Sequence, residues 1–159
     1  MAYSHIAHNC IIGNGVIIAN CGTLAGHVEI GDRAILGGLS AVHQFVRVGE
    51  GAMIGGVSGI TRDVIPFGFA FGPRADLVGL NVIGLKRRGH SREDIHRVRR
   101  AYRDLFEGPG SFDDRVKAVT TEFAGDPVVG KIVAFIQASG SRSIMKTAAG
   151  ADGSDGDMS

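Results

Sequence analysis

Aliphatic residues recur at every sixth position over the first part of the chain, from Ile6 to Ile60. The fifth position of each hexad is also restricted to small or β-branched residues, from Cys10 to Val64. A period of six does not fit the 3.6-residue period of a helix, but it fits short strands joined by turns. The leading residues are Ile6, Ile12, Ile18, Leu24, Ile30, Leu36, Val42, Val48, Ile54 and Ile60. We therefore predict a solenoid in which both sets of positions point inward.

Three consecutive hexads make one triangular coil, so residues 18 positions apart are expected to lie on top of one another. Stacked coils of this kind are spaced about 4.8 Å apart in the hydrogen-bonding direction. Residues 1–65 resemble the hexapeptide-repeat transferases, and this resemblance implies a left-handed parallel β-helix. Ser4 already fits the fifth position of a preceding hexad, so the repeat begins in the middle of a coil. This phase suggests a chain that lacks upstream coils.

The third and fourth positions of the hexads form the three corners of the predicted prism, and the corners differ in chemistry. The first stacks His8-Asn9, Gly26-His27, Gln44-Phe45 and Arg62-Asp63, with His43 on the adjoining strand. The second stacks Asn14-Gly15, Asp32-Arg33 and Glu50-Gly51, which is typical of polar turns in water. The third stacks Asn20-Cys21, Gly38-Leu39 and Gly56-Val57, where another chain or an acyl tail could approach. The first corner is the predicted functional edge.

The histidines of the first corner allow more than one interpretation. Each could simply cap a turn, although three histidines and a glutamine along one edge favour a functional site. His8, His27 and His43 could also be three imidazole ligands of a metal ion, as in a β-helix carbonic anhydrase. The sequence places no carboxylate or thiolate beside them to complete such a site. We expect neither a metal nor a cofactor.

Composition and charge narrow the class of protein only modestly. Glycine makes up 25 of the 159 residues, about twice the ~7% average, which indicates many tight turns. Cys10 and Cys21 lack metal-ligand or redox-motif spacing, and no stretch resembles a signal peptide or a membrane span. These features favour a reduced, cytoplasmic protein. The basic stretch 86–103 permits nucleic-acid binding, but no nucleic-acid motif supports it.

The hexad pattern fails after Ile65, and a second region follows. Residues 66–90, with several glycines and Pro73, are predicted to form an irregular connector. Residues 91–138 are predicted to form a helical domain of three helices, which begin at Ser91, Ser111 and Pro127. The small and polar tail 139–159 is expected to be disordered.

Four segments carry a more specific resemblance: SHIAHNC (4–10), TLAGHVEIGD (23–32), GLSAVHQFVRVG (38–49) and GLKRRGHSRE (84–93). Together they are similar to the UDP-N-acetylglucosamine O-acyltransferases of lipid A synthesis, over nearly the whole chain to about residue 140. The resemblance implies transfer of a 3-hydroxyacyl group from acyl carrier protein to the glucosamine 3-hydroxyl. It also implies a cytoplasmic homotrimer, because family sites lie between neighbouring β-helices, with no stable membrane insertion.

The resemblance also implies roles for individual residues. His8 would be the general base, and Asn9 stands where relatives often have aspartate. The backbone N–H of Gly26 would stabilise the oxyanion. Sugar-nucleotide contacts are assigned to His5, His27, His43, Gln44, Arg87 and Arg88. Gly56 is the position that limits acyl-chain length, Asn81 and Arg74 are acyl-chain or carrier contacts, and Arg99 is a carrier-protein docking residue.

Two alternatives remain open at this stage. A related N-acyltransferase that acts later in the same synthesis shares the β-helix, although the GLKRRG segment argues against it. An inactive trimerisation module is the alternative from another class, because substrate contacts from upstream coils would be absent.

Overall fold

The computed structural model describes residues 1–140 and 142–148. Two-residue strands run through the hexad region, each ending on the leading residue of a hexad. They are β1 (His5–Ile6), β2 (Ile11–Ile12), β3 (Ile17–Ile18), β4 (Thr23–Leu24), β5 (Glu29–Ile30), β6 (Ile35–Leu36), β7 (Ala41–Val42), β8 (Arg47–Val48), β9 (Met53–Ile54) and β10 (Gly59–Ile60). The predicted period is therefore the period of the strands.

The strands stack into the three faces of a triangular prism. The first face has the order β1-β4-β7-β10, the second β2-β5-β8, and the third contains β3, β6 and β9. The stacked strands among β1–β10 all pair in parallel with a shift of 18 residues, as in His5 beside Thr23 and Ile11 beside Glu29. The β-helix fold expected from the repeat is confirmed.

The fourth position of each hexad, as far as Val57, turns the corner with a left-handed backbone. Asn9, His27 and Phe45, which follow one another up the first corner, have φ values of 58°, 60° and 64°. This region is uncommon for residues with a Cβ atom. The cost is offset because the N–H of the fourth residue donates to the carbonyl one coil below, as from His27 to His8 over 3.0 Å.

Burial of the inward positions increases along the prism. Leu24, Leu36 and Ile54 are completely buried, whereas Ile6 and Ile12 are 49% and 36% exposed. The two exposed residues lie in the first coil, at the open end of the prism, where they pack against neighbours on one side only.

Residues 66–90 are more regular than predicted. β11 (Gly68–Phe71) pairs in parallel with β9 and in antiparallel with β12 (Asp76–Leu80), so the third face continues into a hairpin. α1 (Val82–Arg87) follows, with Asn81 as its N-cap. The prediction of an irregular connector is wrong. Gly72 and Pro73 are typical of a loop, but β11 forms a regular strand because it pairs with β9 of the preceding coil.

Three helices follow at the positions predicted: α2 (Arg92–Phe106), α3 (Phe112–Glu122) and α4 (Pro127–Gln137). Ser91 and Asp94 form a reciprocal capping box, and Ser111 caps α3. Asp126, one residue before the predicted start at Pro127, caps α4 by accepting hydrogen bonds from the N–H groups of Val128 and Val129. None of these helices, within the described part of the chain, is long and apolar enough to span a membrane.

The start of the tail is ordered, contrary to expectation. The N–H of Met145 donates to the carbonyl of Asp63 over 2.8 Å, and Leu77 donates to Lys146 over 3.0 Å. Ile144 and Met145 are buried. Residues 142–146 therefore pack along the last coil, because two apolar side chains in a polar tail are enough to anchor it. The rest of the predicted disordered tail, 149–159 together with residue 141, lies outside the described residues.

Candidate functional site

The imidazole of His8 lies directly against the backbone of Gly26, one coil above it. A Cβ atom on Gly26 would stand 2.6 Å from Cε1 and 2.7 Å from Nε2 of His8. These separations are too short for a Cβ atom, so the His8 ring can keep this position only beside a glycine. The repeat creates this contact because the two residues occupy the same hexad position in successive coils.

Asn9 orients the other side of the same ring. Its Oδ1 lies 3.1 Å from Nδ1 of His8. With this amide oxygen as acceptor, the ring proton is on Nδ1 and the lone pair of Nε2 is available. Nε2 is also the nitrogen closer to Gly26.

The N–H of Gly26 is available for hydrogen bonding. Its carbonyl accepts from the N–H of Phe45 over 3.1 Å, whereas its N–H has no partner within the described residues. A buried N–H normally has a partner, so this one can donate to a bound group. The first corner thus places an imidazole against a residue whose N–H has no partner in the described part of the chain.

His27 adds a second imidazole to this corner. Its ring meets that of His8 edge to face, with a centroid separation of 5.1 Å, and stacks on Phe45 at 4.8 Å. His43 and Gln44 are exposed in the next coil, where Nδ1 of His43 lies 3.2 Å from the Gln44 carbonyl. His5 is exposed on β1, on the face that leads into the corner. The structure therefore brings the predicted catalytic and sugar-binding histidines to one edge.

The metal interpretation finds no support in this arrangement. Among the residues that the structure describes, no group of three or more His, Cys, Asp or Glu side chains is placed to hold a metal ion. Cys10 donates its thiol to the carbonyl of Ala25 over 3.1 Å and so packs inside the prism.

A cavity of about 600 Å³ lies elsewhere, between the third face of the prism and α1. Apolar residues such as Ile17, Ile35 and Ile83 line most of it. Asn81, Arg87 and Arg88 supply polar groups on the helix side, and Arg33 and Gly15 lie at the second corner. Asn81 is held in place because it caps α1 through Gly84 and donates to the carbonyl of Gly51 over 3.0 Å.

Arg88 is the most constrained cation of this cavity. Its Nη1 is buried without a hydrogen-bond partner in the described part of the chain, while Nη2 makes only long contacts to the carbonyls of Arg33 and Gly51. Burial lowers the pKa of Arg88 from its usual value; Glu50 opposes this change and Arg33 adds to it. A buried guanidinium nitrogen without a partner is suited to bind an anionic or carbonyl oxygen.

The remaining predicted residues lie apart from both places. Gly56 occupies the third corner, where a Cβ atom would stand 3.2 Å from the carbonyl oxygen of Gly38. Arg74 is exposed in the turn between β11 and β12, and Arg99 is exposed on α2. Arg99 makes no ion pair with the described residues, unlike its neighbours Arg97 and Arg100. Their predicted roles stay predictions.

Two features of the site were missed in the sequence. Phe45 was noted only as part of the corner column, although its stacking on His27 follows from their 18-residue spacing. Arg33 was assigned to a functionless polar turn, yet it lines the cavity. No local signal reveals the second feature, because α1 approaches Arg33 from 50 residues further along the chain.

Comparison with known proteins finds one family in both the family model and the similar sequences. Residues 63–145 match the family model described as UDP-N-acetylglucosamine O-acyltransferase, domain 2. Two proteins named acyl-[acyl-carrier-protein]--UDP-N-acetylglucosamine O-acyltransferase are similar: that of Caulobacter vibrioides is 56% identical over 142 residues, and that of Thermodesulfovibrio yellowstonii 54% identical over 138. These alignments cover 89% and 87% of this chain and 54% of each relative.

Solved structures agree with this result. The UDP-N-acetylglucosamine acyltransferase of Campylobacter jejuni aligns with a TM-score of 0.83 and 42% identity, over 92% of this chain and 56% of that one. The enzyme of Arabidopsis aligns with a TM-score of 0.85 and 37% identity, over 91% of this chain and 52% of that one. The chain spans about half the length of the curated relatives it matches.

Proposed function

This chain belongs to the UDP-N-acetylglucosamine O-acyltransferase family, and on that premise we propose that it carries the catalytic part of such an enzyme. The reaction is reversible transfer of a 3-hydroxyacyl group from acyl carrier protein to the glucosamine 3-hydroxyl of UDP-N-acetylglucosamine, the first step of lipid A synthesis, in the cytoplasm. The observation that carries the proposal is the packing of the His8 imidazole on Gly26.

His8 acts as the general base. A sugar hydroxyl is a poor nucleophile at neutral pH, so its proton must be accepted as it attacks the thioester carbonyl. The Asn9 amide oxygen holds the His8 proton on Nδ1 and leaves Nε2 to accept the hydroxyl proton. Asn9 is neutral, so it orients the ring without adding the negative charge that an aspartate would bring.

The Gly26 N–H stabilises the oxyanion that forms on the thioester carbonyl. The tetrahedral intermediate then collapses, the carbon–sulfur bond breaks, and protonated His8 returns its proton to the departing thiolate. No acyl-enzyme intermediate is needed. An N–H that is already fixed and lacks a partner costs no reorganisation when charge develops.

Sugar-nucleotide binding needs groups from two faces of the prism. His27, His43 and Gln44 lie at the corner between the first and second faces, whereas Asn81, Arg87 and Arg88 line the cavity on the third face. Within one chain these two sets of groups lie on different parts of the prism surface. A homotrimer of side-by-side prisms brings the histidine corner of one copy to the arginine cavity of the next.

The carrier protein and the acyl chain bind the remaining predicted residues. Arg99, which is exposed and has no ion pair within the described residues, offers a positive charge to an acidic carrier protein, whose approach would be accelerated by opposite charge. Gly56, at the apolar third corner beside the exposed Leu39 and Val57, leaves room for the acyl chain. Asn81 and Arg74 are the further candidates for acyl-chain or carrier contact.

The test is transfer of a labelled 3-hydroxyacyl group from carrier protein to UDP-N-acetylglucosamine. His8→Ala is expected to lower the rate by about 10²- to 10⁴-fold, the usual contribution of a general base. Nucleotide binding, measured by titration calorimetry, should persist in this variant and so serves as its control. Retained activity in His8→Ala would exclude the proposed mechanism.

A second version of the chain, extended upstream by hexapeptide coils of a relative, separates the enzyme from a structural module. Sedimentation equilibrium on both versions tests the trimer. If only the extended version is active, this chain by itself is a trimerisation module of the same enzyme. If neither version transfers any acyl length, the proposed activity is wrong.

A further inference from the structure

Three aromatic rings form a continuous column up the first corner, one from each of three successive coils. The rings of His8 and His27 meet edge to face, with an interplanar angle of 86°. The ring of His27 stacks on that of Phe45, with an interplanar angle of 13°. The two centroid separations, 5.1 Å and 4.8 Å, lie within the range of favourable aromatic pairs. We call His8, His27 and Phe45 the ring column.

Phe45 is a large apolar residue on an exposed turn. It is 51% exposed and has a φ of 64°. Leu39 and Val57, at the same hexad position, are also exposed and have φ values of 59° and 55°. Phe45 differs from them in its aromatic ring, which stacks on His27, its one ring partner among the described residues.

From this arrangement we infer that Phe45 is a positioning residue, which fixes His27 and through it the orientation of His8. The inference rests on the proposed function, in which His8 is the base. An exposed imidazole on a corner can rotate about two torsions, and stacking on Phe45 selects one orientation. The His27 ring then stays in contact with the His8 ring and limits its rotation.

His27 adds a third contact to the His8 ring, which stays exposed to solvent. Gly26 lies against Nε2 and Cε1, Asn9 binds Nδ1, and His27 meets the ring edge to face. Without Phe45, His27 gains rotamers and the His8 ring can turn away from the Gly26 N–H. Small misplacements of a reacting group cost a large part of its effect.

The experiment compares Phe45→Leu with Phe45→Tyr, which keeps the ring. In the 159-residue chain, long-range ¹H–¹⁵N spectra report the ring resonances of His8 and His27. Phe45→Leu should move or broaden both sets, whereas Phe45→Tyr should leave the His8 set in place. An unchanged His8 set in Phe45→Leu overturns the inference, whatever the activity of the chain. The thermal unfolding midpoint identifies any general loss of fold.

Kinetics on an active version give the second measurement. Phe45→Leu should lower kcat about tenfold and change the KM for UDP-N-acetylglucosamine less than about twofold, with kcat restored in Phe45→Tyr. A rise in KM alone would make Phe45 a substrate contact and would also overturn the inference. Absence of transfer in the unsubstituted, extended enzyme contradicts the proposed function instead, and leaves the spectroscopic result to decide the role of Phe45.

Discussion

Arg47 and Asp63 form a buried ion pair on the last full coil of the β-helix. Nε of Arg47 donates to Oδ2 of Asp63 over 2.8 Å, and the backbone N–H of Arg47 donates to Oδ1 over 2.8 Å. The guanidinium also donates to Oγ of Ser139 over 2.6 Å and lies 4.2 Å from the centroid of the Phe135 ring. One pair therefore joins the prism to α4 and to the C-terminal segment.

Asp63→Asn should lower the free energy of unfolding by about 3 kcal/mol, because it leaves the buried Arg47 charge without its counterion. Urea denaturation followed by circular dichroism measures the change. Glu122→Gln, which removes the exposed partner of Arg100, is the matched control and should cost less than about 1 kcal/mol. Equal effects in the two variants would contradict a special role for the buried pair.

Gly26→Ala should lower kcat about 100-fold, because the added Cβ displaces the His8 ring from its place beside the Gly26 N–H. The measurement is steady-state acyl transfer in an active, extended version of the chain. Gly130→Ala, the same substitution in α4 where a Cβ meets nothing within 4 Å, should leave kcat unchanged. Full activity in Gly26→Ala would mean that this contact is not needed for catalysis.

Gly130→Ala is also expected to raise the free energy of unfolding by about 0.5–1 kcal/mol. Gly130 lies inside α4, is exposed, and has open space where the methyl group would point. Alanine restricts the unfolded chain without disturbing the helix. Urea denaturation detects the gain, and a loss of stability would show that the position has a neighbour that the structure does not include.

Asp126 gives the helical domain a predictable dependence on pH. Burial pushes the pKa of this carboxyl up, but hydrogen bonds from Val129, Arg97 and Val128 outweigh that effect and hold it below the usual value. The folded state thus favours the charged form. The stabilisation is present above the unfolded pKa of about 3.9 and is lost as pH falls through the lower folded pKa.

Asp126→Asn should therefore reduce the difference in unfolding free energy between neutral pH and about pH 3. Asparagine still caps α4 but cannot ionise. The substitution therefore separates the contribution of Asp126 ionisation to stability from its contribution as a helix cap. Urea denaturation at several pH values tests this. An unchanged pH dependence would assign the acid sensitivity to other carboxyls.

Arg99→Glu should raise the KM for acyl carrier protein about tenfold with little effect on the KM for the sugar nucleotide, because the charge lies on an exposed face of α2 and the carrier is acidic. The effect should shrink at high salt. Lys117→Glu on α3 reverses another exposed positive charge and serves as the control. If both substitutions raise the KM for acyl carrier protein equally, carrier binding depends on the net charge of the protein and not on the surface around Arg99.

Much of the fold and of one half of the candidate site follows from the sequence. The hexad period fixes which residues stack, so His8, Gly26, His27 and Phe45 could be assigned to one edge before any coordinates. The helix starts followed from local capping signals at Ser91 and Ser111. The hairpin of β11 and β12 could not be predicted, because its order comes from pairing with β9 and not from its own glycine-rich sequence.

By itself, then, the sequence determined the prism, its registers and the chemistry of each corner, because a short-period repeat sets backbone shape and stacking locally. Only the tertiary structure decided that Arg47 contacts Ser139, 92 residues away, that Ile144 and Met145 anchor the tail, and that the histidine corner and the Arg88 cavity occupy different faces. Such contacts depend on how separate elements pack in space. No periodic pattern in the chain encodes the distance between them.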